Sequence, residues 1–322
     1  MKALILINKL SEHPTTDELD VLEQARVVEE ALTELGYAVS RDFFDLNLQR
    51  IRDMLVSMKP DVVFNLVEGV EGKAELIYFP TALLESLGIP YSGCRLDSMY
   101  LTSNKVFAKE KMRANGLPTA DWFSAKEIEK LSPDKRYIIK PLWEDASVGI
   151  DEHRVLLGND PKMIEFAKEP GSHKYFIEEF IPGREFNMSV LGGNAGPEVM
   201  NPAEMLFHNY PEGKPQIMGY RSKWVEGSFE YENTSRTFDI KEEDIPLHNQ
   251  IREICRRCWQ VFNLKGYARV DLRVDENGQP LILEINANPC ISPDAGFYVA
   301  CSQAGHKFTD VMKRILEDAY TN

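Results

Sequence analysis

Gly266-Tyr267-Ala268-Arg269-Val270-Asp271-Leu272-Arg273 and, beyond the turn Asp275-Glu276-Asn277-Gly278, Leu281-Ile282-Leu283-Glu284-Ile285-Asn286-Ala287-Asn288-Pro289 read as two strands of a hairpin. Side chains two apart on a strand point the same way, so Arg269 goes with Asp271 and Glu284 with Asn286. A two-residue loop at Asn277-Gly278 sets Asp271 opposite Glu284 and Arg269 opposite Asn286. All four then meet on one face. Two opposed carboxylates repel unless a cation joins them, and converging oxygen ligands are what a hard divalent ion takes. The alternative is a solvated outer face. Against it, Val270, Leu272, Leu283 and Ile285 make the strands otherwise apolar, so the polar face looks into a site.

Working outward, the first ~90 residues alternate strand and helix patterns, as in a parallel sheet with covering helices. Ala3 to Asn8, Val39 to Asp45 and Val62 to Val67 read as strands. Asp17 to Leu35 reads as a helix on the spacing of Leu19, Leu22, Val27, Val28, Ala31, Leu32 and Leu35, with Gly36 as the stop. Leu48 to Met58 and Leu76 to Leu87 read as two more helices, and Gly88 to Gly93 is a Gly/Pro-rich joint that suits a domain boundary. Asn104 to Asn115 and Pro161 to Lys168 then read as helices, and Tyr137 to Lys140, Lys174 to Phe180 and Glu185 to Leu191 as strands. Asn194 to Arg236 has no period and suggests long loops, which in a compact domain tend to be functional. A long helix follows from Glu242 to Phe262, with Ile245, Ile251, Ile254, Cys258 and Val261 inward, and His306 to Tyr320 closes the chain as a last helix.

The 322 residues suffice for two or three packed units, and 43% hydrophobic with 27% charged residues is an ordinary globular composition. A net charge of −14 argues against a nucleic-acid or anionic-membrane partner. Five scattered cysteines suit free thiols in a reducing compartment. Ala3 to Ile7 is too short for the core of a signal peptide, and no later run is apolar enough to span a bilayer, so the expectation is a cytoplasmic protein. Cys255 and Cys258 share a helix without a second ligand pair, which speaks against zinc.

A second set of candidates surrounds Lys140, which ends a strand and precedes the small-residue loop Ser147-Val148-Gly149. Such a loop lets backbone N–H groups approach phosphate oxygens, with a lysine as point charge. Phe176 to Phe186 is strand, break at Pro182-Gly183, strand; the break exposes backbone that can read an adenine edge, although an ordinary hairpin gives the same pattern.

Together these residues resemble the ATP-grasp superfamily, and within it the D-alanine–D-alanine ligase group. The likeness runs through Asn65 to Gly69, Leu87 to Gly93, Asn104-Lys105, Gly116 to Thr119, the Lys140 loop, Glu178 to Glu185 and the hairpin. It implies an α/β chain, α+β overall: an N-terminal Rossmann-like parallel-sheet domain (1–93), then two α+β subdomains (94–180 and 181–322) that clamp ATP. On this resemblance Lys105 and Lys140 contact the phosphates and Ser147, Val148 and Gly149 close over them. Glu178 and the Phe180-Ile181 backbone hold adenine, and Glu185 the ribose. Lys223 approaches the γ-phosphate on a closing loop, Asp271, Glu284 and Asn286 bind two Mg2+ (or Mn2+) ions, and Arg269 stabilises the acyl phosphate and the tetrahedral intermediate. A homodimer through the N-terminal domain is also implied.

The departures cluster at the substrate end. Asn8-Lys9-Leu10-Ser11-Glu12-His13 replaces the group's Gly-Gly-Thr-Ser-type loop, Glu68-Gly69 its His-Gly, Asp145-Ala146 its Gly-Ser, and Trp224 the tyrosine or phenylalanine after the loop lysine. Ala295-Gly296 stands where the group uses Ser-Leu for the second substrate's carboxylate. The expectation is therefore an ATP-dependent carboxylate-amine ligase with different small-molecule substrates. The substrate candidates are Glu68, Glu75, Cys290 (through its main chain), Asp294, Ala295 and Gly296; Glu75 and Asp294 read equally well as loop-capping carboxylates. A true D-alanine–D-alanine ligase, a small-molecule kinase of the same superfamily and a non-catalytic nucleotide-binding protein remain the alternatives.

Overall fold

The computed structural model describes residues 1–144 and 147–320. Strands β1 (Lys2–Asn8), β2 (Ala38–Phe44) and β3 (Val62–Asn65) form a parallel sheet of order β2-β1-β3, connected through helices α1 (Thr16–Glu34) and α2 (Leu48–Met58). Leu4, Ile5 and Leu6 are wholly buried because helices cover both faces of β1. Leu19 and Leu22, expected inside, are exposed; the buried face of α1 runs instead through Val21, Gln24, Ala25 and Val28. The expected helix at 76–87 begins later, as α3 (Phe79–Ser86), with Pro80 in its first turn. Helix α4 (Leu96–Ser103) was not anticipated. It breaks at Asn104, whose side chain accepts from the N–H groups of Val106 and Phe107 and so starts α5 (Lys105–Ala114).

A four-stranded antiparallel sheet follows, of order β4-β7-β5-β6, from β4 (Trp122–Phe123), β5 (Arg136–Pro141), β6 (Val155–Leu157) and β7 (Tyr175–Glu179), with helix α6 (Pro161–Lys168) between β6 and β7. Gly183 makes the break before the next sheet: its φ is +123°, and a Cβ there would stand 2.1 Å from the Val274 carbonyl oxygen, so only glycine fits.

The largest sheet contains β8 (Arg184–Leu191), β9 (Glu198–Val199), β10 (Ala203–Phe207), β11 (Thr234–Thr237), β12 (Tyr267–Val274) and β13 (Pro280–Asn286). Its order is β11-β10-β8-β12-β13, with β9 also on β8. The stretch 194–236 is thus not simply loop. It carries β9, β10, β11 and two short helices, α7 (Tyr220–Trp224) and α8 (Phe229–Glu232). Elements of two to five residues are too short to show a period, which is why the sequence hid them. Helix α9 (Ile245–Val261) buries His248, Ile251, Ile254, Cys255 and Cys258, whereas Ile245, expected inward, is 47% exposed. Helices α10 (Gly296–Gln303) and α11 (Phe308–Ala319) return to the N-terminal sheet. Val311, Met312, Ile315 and Leu316 pack in one core with Ala3, Ile5, Val28 and Leu32.

The hairpin has the expected register at its site end, Asp271 opposite Glu284 and Arg269 opposite Asn286. Its loop is not two residues, however. Val274 pairs with Pro280, and Asp275 Oδ1 accepts from the N–H groups of Asn277 and Gln279 across the longer turn. A β-bulge at Leu283 then shifts the pairing by one, next to Ile282, whose N–H and C=O are taken by Pro118 and Thr119 on the outer edge.

Candidate active site

A cleft opens between the four-stranded and six-stranded sheets. Ile138, Lys140 and Glu178 line it from one side, Glu185, Asn187, Asp271, Arg273, Leu283 and Glu284 from the other, and Phe180 and Ile181 from the connection between the sheets. Ser147, Ile150, Ile217, Met218 and Lys223 complete the lining. A more open groove of about 490 Å3 beside β6, lined by Arg136, Glu152 and Lys214, holds none of the expected site residues.

Cations and carboxylates interleave through the cleft. Glu178 is buried between Lys109 and Lys140, with one carboxylate oxygen toward each ammonium. Burial alone would raise its carboxyl pKa, but the two lysines hold it below the ordinary value. Glu178 thus serves first as counter-ion of the lysine pair. Lys105, on the first turn of α5, donates to the Glu144 carbonyl oxygen at 2.6 Å and lies 3.4 Å from Glu284. Glu185 faces Arg273 at 3.3 Å; burial raises its carboxyl and Arg273 offsets this in part. At the connection, the Phe180 N–H is bonded to the Arg136 carbonyl at 2.9 Å, and Ile181 O accepts from Arg273 at 2.7 Å.

On the hairpin face, Arg269 clasps Asp271 with two hydrogen bonds of 2.8 Å. Burial would raise Glu284, but Lys105, Lys223, Arg269 and Lys140 bring it down to about 2, so it is a carboxylate at any physiological pH. Lys223 sits on α7 instead of on a loop; burial, with Arg269 nearby, lowers its pKa. Asn286 Oδ1 accepts from the Asn288 N–H at 3.0 Å. Among the described residues no group of three or more His, Cys, Asp or Glu converges as a metal site. The expected set has two carboxylates, Asp271 and Glu284, completed by the amide oxygen of Asn286. Three hard oxygen donors on adjacent strands fit Mg2+ or Mn2+.

The closing segments touch one another. Ser147, at φ +64°, donates through its hydroxyl to the Met218 carbonyl at 2.7 Å, and the Tyr220 N–H bonds Ile150 O at 3.1 Å. Val148 is half-buried and Gly149 exposed. Tyr220 also donates to Asp17 of α1 at 2.9 Å, tying α7 to the N-terminal sheet domain. The Asp145-Ala146 departure lies outside the described residues.

At the substrate end the structure gathers Glu68 and Cys290 but not Glu75. Gln24 donates to Glu68 at 2.8 Å and to Asp20 at 3.1 Å; Asp20 accepts from the Cys290 thiol at 2.9 Å and the Ser292 hydroxyl at 2.7 Å. Burial, Glu68 and Asp20 all raise the Cys290 thiol, which is therefore protonated and not a nucleophile. Glu75 is exposed, on the short turn before α3. Asp294 offers its carbonyl to Arg236, Ala295 precedes α10, and a Cβ at Gly296 would stand 3.9 Å from Arg269 Cδ.

Four groups escaped the sequence reading. Lys109 stands four residues after Lys105, one helical turn along the same face, and Arg273 continues the alternation of Arg269 and Asp271; both signals were present. Asp20 and Gln24 had no such signal, because the stretch they bond, Cys290 to Ser292, lies about 270 residues away.

A cleft between two antiparallel sheets, lined by a buried lysine pair and a carboxylate hairpin, is the arrangement of an ATP-grasp enzyme. The family model "D-ala D-ala ligase C-terminus" matches residues 112–317, and the chain belongs to that family, whose D-alanine–D-alanine ligases are C–N bond-forming ligases. It is 31% identical to the uncharacterized protein y4sG of Sinorhizobium fredii, over 80% of this chain and 74% of that one. It is 28% identical to D-alanine–D-alanine ligase B of Mesorhizobium japonicum, over 98% and 97%. The fold matches D-alanine–D-alanine ligase of Bacillus anthracis complexed with ATP, with a TM-score of 0.74 at 18% identity, over 99% and 97% of the two chains. No helix among the described residues is long and apolar enough to cross a membrane.

Proposed function

We propose that the protein joins the carboxylate of an amino acid or other small acid to an amine, through an acyl phosphate, with release of ADP and phosphate. One observation carries this reading: the charges of Lys105, Lys223, Arg269 and Lys140 all act on Glu284, which lines the cleft with Asp271 and lies on the hairpin beside Asn286. A carboxylate is a poor electrophile until phosphorylated, and both steps concentrate negative charge. Lys105 and Lys140 bind the ATP phosphates, Lys223 approaches the γ-phosphate that is transferred, and Arg269 faces the charge that builds on the acyl phosphate and the tetrahedral intermediate. Removing one such donor typically costs about 3 kcal/mol of barrier. When bound, Mg2+ held by Asp271, Glu284 and Asn286 supplies Lewis-acid neutralisation of the phosphates. The contacts of Ser147 and Tyr220 support a cleft shut against water, which would otherwise hydrolyse the acyl phosphate.

The substrate pocket, on this proposal, differs from that for two D-alanines: Glu68 and Asp20 make one wall acidic, and Ala295-Gly296 has no hydroxyl for a carboxylate. D-Alanine–D-alanine ligation itself is the second reading, favoured by the likeness to the Mesorhizobium ligase over 98% of the chain. The test incubates the purified protein with ATP, Mg2+ and a panel of D- and L-amino acids and small amines. ADP and phosphate should appear only with particular donor–acceptor pairs, and hydroxylamine should trap the activated donor. ADP formation without a trappable acyl group would point to a kinase; ATP binding without ADP from any pair would end the ligase reading.

A further inference from the structure

Arg236 is a guanidinium close enough to Arg269 to feel its charge, beside the turn at Asp294. It sits half-buried on β11, and both terminal nitrogens lie 3.3 Å from one acceptor, the backbone carbonyl of Asp294. That distance is long for a guanidinium hydrogen bond, and among the described residues no carboxylate oxygen lies within ion-pair reach of Arg236. On the other side of the same turn, Gly296 stands against the Arg269 side chain. Two arginines therefore bracket residues 294–296, the place where the sequence lacks a hydroxyl for a substrate carboxylate. Burial and the Arg269 charge lower the Arg236 pKa, and the Asp294 carboxylate offsets this in part.

We propose that Arg236 binds the carboxylate of the acceptor, making the second substrate an amino acid instead of a simple amine. This rests on the ligase reading and narrows it. A guanidinium receives a carboxylate through two parallel hydrogen bonds, a geometry that the weak contact to Asp294 leaves available. Arg269, clasped by Asp271, remains directed at the acyl phosphate. The acceptor is thus held by its acid group with its amine toward the activated donor.

The test compares each active acceptor amino acid with its amide and its decarboxylated amine, using wild type, Arg236→Gln and Arg236→Lys. Losing a charge-assisted pair is worth on the order of 10–100-fold in kcat/KM, carried by the acceptor KM. Wild type should prefer the free acid, Arg236→Gln should equalise acid and amide with KM for ATP unchanged, and Arg236→Lys should keep part of the preference. An undiminished preference in Arg236→Gln overturns the assignment while leaving the ligase standing. So does a wild type that uses the amide as well as the acid. No ADP from any pair removes the ligase reading and this inference together. Should Arg236→Gln fail to fold, a reduced acid preference in Arg236→Lys supports the assignment and full retention counts against it.

Discussion

Replacing Glu178 with glutamine takes the one carboxylate from between two buried ammonium groups. Lys109 is 0% exposed and Glu178 1%, and Lys140 is buried at the cleft wall. Each lysine points to a different oxygen of Glu178, and Lys109 has one further bond, to the Thr119 hydroxyl at 2.6 Å. A glutamine keeps the shape but can accept from only one lysine and turns an NH2 group on the other. Breaking a buried ion pair by removing one partner costs about 3–5 kcal/mol, because the remaining charge is left without compensation. Lys109→Met instead deletes one of two cations, leaving Glu178 and Lys140 matched one to one. Its cost should stay near about 1–2 kcal/mol, the range of an ordinary buried substitution. Urea unfolding at pH 7, followed by circular dichroism at constant slope, measures both. The pH dependence adds a sign. The two lysines depress the Glu178 carboxyl below its ordinary 4.5, so its stabilisation is complete above that value and is lost as pH falls through the lowered pKa. The gap between wild type and Glu178→Gln should therefore narrow on acidification below 4.5. A Lys109→Met variant as unstable as Glu178→Gln would refute the picture of one anion serving two cations.

Two further outcomes follow from the hairpin and the break before it. Glu284→Gln should keep the wild-type circular dichroism but lose metal-dependent turnover by about 3 kcal/mol of barrier, on the order of 100-fold; a normal rate would remove Glu284 from the metal set. It should also lack the proton uptake that wild type shows on unfolding between pH 4.5 and about 2, where the Glu284 carboxylate is held charged in the folded state. Gly183→Ala should lower the thermal midpoint clearly more than Gly278→Ala. Both positions have positive φ, but only at 183 would the added carbon strike a backbone oxygen, and strain alone is worth about 1–3 kcal/mol. Equal midpoints would mean that the β7–β8 connection relaxes freely.

The central hairpin was legible for a reason that is only partly the right one. Alternation placed Arg269, Asp271, Glu284 and Asn286 on one face, and pairing about Asn277-Gly278 gave their register. The turn is longer than two residues, which shifts the pairing beside it by one, and the bulge at Leu283 shifts it back. The two departures cancel at Asp271 and Glu284. Contacts made by chain segments far apart had no comparable signal, and the Asp20-Cys290-Ser292 cluster, α7 against α1 through Tyr220 and Asp17, and Arg236 on Asp294 all belong to that class.

Charge shows the same divide between what composition can say and what folding adds. The chain carries a net −14, yet the cleft brings Lys105, Lys109, Lys140, Lys223, Arg269 and Arg273 against Glu178, Glu185, Asp271 and Glu284. Six cations meet four carboxylates, an excess that only the fold creates. Lys109 and Lys140 hold Glu178, and Lys105, Lys223, Arg269 and Lys140 hold Glu284, below the ordinary carboxyl pKa, so these two acids stay ionised and the lysines beside them are positioned before any phosphate arrives. A polyphosphate entering this cleft finishes neutralising a site already assembled, so little of its binding energy goes to reorganising the lysines. The charge is therefore unevenly placed: the chain as a whole is acidic, while the cleft gathers its cations between the two sheets.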